Sequence, residues 1–126
     1  MQIFTLHIGS GQADAHAVIV GIVGSRFESF TLITATGWFR AQCEPSWLVK
    51  IATDDVAKVI EAASQVRTAL QQDGVGIEHE GRYYRCTAAD PASALSKDWS
   101  AAQGLAKKQT AFQKALKKRS NRNVPE

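Results

Sequence analysis

From Val56 to Leu70 an apolar residue recurs every three or four positions: Val56, Val59, Ile60, Ala63, Val66 and Leu70. That spacing winds an amphipathic helix, because residues three and four apart share one face of a 3.6-residue turn. Thr53 or Asp54 is placed to cap it and Asp73-Gly74 to end it, so the helix is expected from Asp54 to about Gln72. A helix apolar on one side only needs a layer to lie against. Whatever surrounds this segment must supply that layer, which excludes an isolated helix and a disordered chain alike.

The flanking segments supply it as strands. "IFTLHI" alternates Phe4, Leu6 and Ile8 with Thr5 and His7, the period-two pattern of a half-buried strand. "FTLITATG" and "SWLVKIAT" read the same way, the latter with Trp47, Val49 and Ile51 on one face and Leu48 and Lys50 on the other. "VGIEHEGRYYRCT" reads as a hairpin turning at Glu80-Gly81, which pairs His79 with Arg82, Ile77 with Tyr84 and Val75 with Cys86. Val75, Ile77, Tyr84 and Cys86 are then expected to face the core, with Glu78 and Tyr83 on the other side. Between the first two strands, "ADAHAVIVGIVGSRFES" is ambiguous: its β-branched residues favour a strand. Asp14 as a cap and a face of Val18 and Ile22, extended by Arg26 with Phe27, favour a helix.

The length of 126 residues suits one domain with a basic extension. Residues 1–90 carry seven basic and ten acidic side chains, a balance of −3, whereas residues 91–126 carry eight against two, a balance of +6. The division is drawn as a domain over 1–89 and a helical tail over 90–126, opened by Asp90 as cap with Pro91 at the first helical position. Ser100 is a second candidate start and Gly104 a candidate break. Leu105, Phe112 and Leu116 form a thin apolar stripe among the lysines.

Few residues point to chemistry. "GSGQAD" follows a strand, but Asp14 stands where a dinucleotide-binding turn needs its third glycine, so it reads as a plain turn. Glu78, His79 and Glu80 are consecutive, which places the histidine on the opposite face from both carboxylates. Cys43 and Cys86 form no CxxC pair and neither has a histidine at ligand spacing, so no metal site and no cofactor is expected. Cys86 reads as a small buried hydrophobe and Cys43 as an exposed thiol with Arg40 nearby. No nucleophile–base constellation emerges, and the chain reads as no enzyme.

Two binding readings remain. Lys107, Lys108, Lys114, Lys117, Lys118, Arg119 and Arg122 fall in a run with no acid, a pattern that neutralises phosphates or an acidic protein surface. Alternatively, Trp38, Arg40, Cys43 and Glu44 form a ligand loop of a small-molecule-binding or regulatory module that dimerises through its sheet, such as a phage or mobile-element inhibitor. The segment "TATGWFRAQCEPS" is expected to hold a strand end, a loop of about seven residues and a strand start at Pro45. No apolar run is long enough to cross a bilayer, and "MQIFTLHIG" has no basic leader, so a cytoplasmic location is expected.

At "ATGWFR", then "EPSWLVKI" and the alanine- and valine-rich helix, residues 28–75 resemble a family of small bacterial domains of unknown function, often found in predicted lipoproteins. The resemblance implies a ferredoxin-like sandwich with a helix before the second strand, and it carries no catalytic residues. The chain lacks the family's lipid-attachment cysteine. The expected fold is therefore α+β, a two-layer ferredoxin-like sandwich of four or five mostly antiparallel strands with helices on one face.

Overall fold

The computed structural model describes residues 1–122, with side chains through residue 116. Seven elements make up the first part: β1 (Gln2–Gly9), α1 (Ala15–Gly24), β2 (Thr31–Phe39), β3 (Gln42–Thr53), α2 (Val56–Ala69), β4 (Gly74–His79) and β5 (Arg82–Thr87). The strands form one five-stranded antiparallel sheet in the order β2-β3-β1-β4-β5. The expected α+β class and strand count hold.

One face of the sheet is dry. Phe4, Leu6 and Ile8 of β1, Val49 and Ile51 of β3, Val75 and Ile77 of β4, and Tyr84 and Cys86 of β5 all lie within it. α2 packs over β1, β4 and β5 through Val59, Ala62, Ala63 and Val66, and α1 packs beside α2. The alternation along each strand thus sends its apolar half under the helices, as the period-two reading requires.

The ambiguous segment is a helix, Ala15–Gly24. Its buried stripe is Ala15, Ile19 and Val23, one position on from the expected Val18 and Ile22, which are half-buried. Small Ala15 and branched Ile19 and Val23 fit beside α2. The Asp14 side chain makes no cap bond. The cap of α2 is Asp55, whose Oδ1 accepts from the Lys58 amide at 3.1 Å, while the Thr53 hydroxyl accepts from the Asp55 amide. Three consecutive capping residues, Thr53-Asp54-Asp55, left that register open to sequence reading.

The connection between β2 and β3 departs most from expectation. Phe39 pairs with Gln42, so the loop is two residues, Arg40 and Ala41, at φ 51° and 63°. Such a turn normally takes Asn-Gly, because both positions lie in the left-handed region. Pairing with β1 ends at Ser46, but β2 and β3 stay paired to the tip, and Pro45 pairs within β3 opposite Thr36. The β4–β5 hairpin is as expected, with its turn at Glu80-Gly81 and His79 opposite Arg82.

The chain divides into two units, Met1–Ala94 and Leu95–Glu126, so the boundary falls five residues later than the composition places it. α3 (Ser93–Arg122) is one continuous helix. Asp90 does cap it, accepting from the Ser93 amide at 2.8 Å, but Pro91 precedes the helix and bridges to Cys86 instead of occupying its first turn. Neither Ser100 nor Gly104 interrupts it.

Candidate functional site

The second face of the sheet carries no helix of this unit, and glycines pave it. Gly9 of β1, Gly37 of β2, and Gly74 and Gly76 of β4 all fall on that side by alternation. A strand glycine marks a place where something approaches the backbone closely. Here Glu44 lies across Gly9, Ser46 across Gly37, Arg85 across Gly74 and Tyr83 across Gly76. At Gly9 the Glu44 carboxyl carbon stands 3.4 Å from where a Cβ would be. At Gly74 a Cβ would strike the Arg85 guanidinium, and at Gly76 the end of the Tyr83 ring. Each side chain crosses diagonally onto the neighbouring strand, a reach open to long side chains.

These side chains converge. Glu44 leans inward from β3 onto β1, while Tyr83 and Arg85 lean inward from β5 onto β4. His7 pairs with Gly76, and Gly9 and Gly74 lie two residues beyond that pair on the same neighbouring strands. The result is a cleft of about 380 Å³ lined by His7, Phe39, Glu44, Ser46, Tyr83 and Arg85, with Asp73 contributed by the connection before β4. That connection is held by Arg67 Nη1 donating to the Gln72 carbonyl and by Gln12 Nε2 donating to the Leu70 carbonyl.

Within the cleft, His7 Nε2 and Glu78 Oε1 are 2.8 Å apart, and the His7 ring meets the edge of Tyr83 with centroids 5.5 Å apart. Glu78 thus orients His7, and His7 props Tyr83 over its glycine. Glu44 and Arg85 are different: neither side chain has a hydrogen bond or an ion pair with another described residue. A larger cleft of about 560 Å³ lies at the other end, around Met1, Ile3, Arg26, Phe30 and Lys50. Its Arg26 is engaged with Glu61 at 3.8 Å and its amino terminus with Asp54 at 3.7 Å.

Of the four residues assigned to a ligand loop, only Glu44 reaches the central cleft. They do not form a loop: Trp38 and Cys43 are paired strand residues on the face opposite Glu44, and both are exposed. Arg40 sits in the turn with its guanidinium 5.1 Å from the Phe39 ring centroid. The reason is that β2 and β3 remain hydrogen-bonded down to Phe39 and Gln42. Cys86 is buried, its Sγ 3.2 Å from Ser64 Oγ. Lys107, Lys108 and Lys114 are exposed on α3. The side chains of Lys117, Lys118, Arg119 and Arg122 lie outside the described residues.

In the sequence, Tyr83 and Arg85 belong to a set of strand aromatics and arginines that reads as packing more than as a site, and nothing local joins His7 to Glu78. Their signal was present: period two places Gly74, Gly76, Glu78, Tyr83 and Arg85 on one outward face. Among the described residues no group of three or more His, Cys, Asp or Glu is gathered to hold a metal, and no helix is long and apolar enough to cross a membrane.

No family model matches the chain, and no curated protein matches it. Among solved structures, a phage SAM lyase in its apo state matches with a TM-score of 0.52 at 16% identity, over 68% of this chain and 88% of that one. At that identity the likeness is one of fold.

Proposed function

We propose that the protein is a small-molecule-binding module whose ligand lies on the sheet face that carries neither α1 nor α2, in the cleft floored by Gly9 and Gly74. The observation that carries this reading is the glycine floor with Glu44 and Arg85 lying unpaired over it. Glycine weakens a strand, so four of them on one face are costly unless the space above is used. The cleft has the volume of a small-ligand site. The strand order supports a ferredoxin-like arrangement, β1-α1-β2-β3-α2-β4, widened by β5 at one edge. The likeness in fold to a phage SAM lyase makes SAM the first compound to try, with SAM loss followed in the same samples. In a titration of the ¹⁵N-labelled chain against SAM and a small-metabolite panel, saturable shifts are expected at the amides of Gly9, Gly74, Gly76 and Arg85. Shifts confined to the cleft around Met1 and Lys50, or none, would overturn the reading.

A second reading is favoured by α3, on which every residue from Ser100 to Leu116 is exposed. Its cationic run is suited to contacting nucleic acid or an acidic protein. If all seven cations meet phosphates, log K against log salt falls with a slope of about −6, and changing Lys107, Lys108 and Lys114 to glutamine reduces that slope by about 3. Fluorescence anisotropy with labelled DNA and RNA at several salt concentrations measures this. No anisotropy change at low salt removes the nucleic-acid form of the reading.

A further inference from the structure

Resting on the small-molecule reading, we propose that the cleft takes a zwitterion of amino-acid type, with its carboxylate on Arg85 and its cationic group against Glu44. The argument starts from where the two side chains come from. Glu44 belongs to β3 and Arg85 to β5, yet each is laid over the strand next to it, so their charged ends stand above neighbouring strands β1 and β4. Arg85 occupies the space that a Cβ at Gly74 would need, and the Glu44 carboxyl lies in contact range above Gly9. They approach without forming an ion pair, and no other described residue pairs with either.

Opposite charges lining one cleft define the ligand. Glu44 reaches over Gly9 of β1 and Arg85 over Gly74 of the neighbouring strand β4, and both line one small cleft, which suits a molecule whose two charges are a few bonds apart and not one with charges at distant ends. A simple anion fits poorly: Asp73 also lines the cleft, so besides the engaged His7–Glu78 pair the anion would meet two carboxylates for one guanidinium. A simple cation would face Arg85. A zwitterion satisfies both: the planar guanidinium takes a carboxylate in a forked contact, and Glu44 accepts from an ammonium. Tyr83 and Phe39, both exposed, line the same cleft and offer aromatic surface for the remainder of the ligand.

The test uses the full chain and the twenty free amino acids as probes, each binder being compared with its decarboxylated amine and its deaminated acid. The readout is the amide shift of Gly9, Gly74 and Gly76. At least one amino acid should bind saturably at millimolar concentration, with both analogues weaker by about tenfold or more. Arg85→Gln should weaken the amino acid and the acid but leave the amine unchanged, and Glu44→Gln should do the reverse. The spectrum of each variant reports its folding directly. Equal binding of the single-charge analogues, or binding indifferent to both substitutions, overturns the zwitterion assignment. So does the absence of any amino-acid shift. If neutral or singly charged metabolites still shift the floor amides, the small-molecule reading stands and this inference alone falls; if nothing shifts them, both fall.

Discussion

Phe4→Ala is expected to lower unfolding stability by about 3–5 kcal/mol, a large share of the ~5–15 kcal/mol typical of a small domain. Phe4 is fully buried, pairs with Ile51 across β1 and β3, and stacks on His79 with ring centroids 4.5 Å apart and planes 15° apart. β1 is the middle strand, hydrogen-bonded on both edges and covered by α2, so the backbone around the lost ring cannot collapse into the space. The cost therefore belongs at the upper end for its chemistry, because the residual cavity adds to the lost transfer energy. Urea denaturation followed by tryptophan fluorescence measures it, with the midpoint falling and the slope unchanged. Leu116→Ala, on the exposed side of α3, provides the contrast at within about 0.5 kcal/mol. A loss below about 1 kcal/mol at Phe4 would mean that β1 is not the centre of the core. The same strand presents His7 and Gly9 to the cleft, so a loosened Phe4 also loosens the floor.

The sequence revealed much of this architecture, and where it failed the reasons are physical. The β4–β5 hairpin was legible to the residue because both strands alternate and Glu80-Gly81 has turn chemistry. The β2–β3 hairpin was not, because Arg40 and Ala41 take positive φ without the glycine or asparagine that announces it, so the stretch through Pro45 has the look of a longer loop. The buried stripe of α1 shifted by one position because Val18, Ile19, Ile22 and Val23 are nearly equivalent as hydrophobes, and only the partner surface chooses among them. Glu44 could be marked as a candidate, but not its counterpart. That Arg85 meets it over adjacent glycines depends on diagonal reach between strands far apart in sequence, and strand order is what local patterns carry least.

Gly76→Val separates folding from function most sharply. Two terms oppose each other in stability. Valine is the better strand former, and replacing a strand glycine gains on the order of 1 kcal/mol. Against this, the new Cβ occupies the place of the Tyr83 ring end, so Tyr83 must swing out. Tyr83 is already 62% exposed, so the packing it forfeits is a minor part of the ~1.5–3 kcal/mol for a fully buried large side chain, about 1 kcal/mol. The two nearly cancel, and the thermal midpoint should move by only a few degrees. Binding has no such compensation: Tyr83 leaves the cleft wall and its edge contact with His7 is lost. Affinity for whatever ligand shifts the Gly9 and Gly74 amides should fall about 10- to 100-fold, equivalent to ~1.4–2.8 kcal/mol. Thermal melting and the same amide titration, on one protein sample, read the two quantities side by side. A large drop in melting temperature would make Gly76 a packing residue. Unchanged affinity with a displaced Tyr83 would move the ligand off this face. A stable protein that no longer binds is the outcome expected of a strand that keeps its glycine for the space above it.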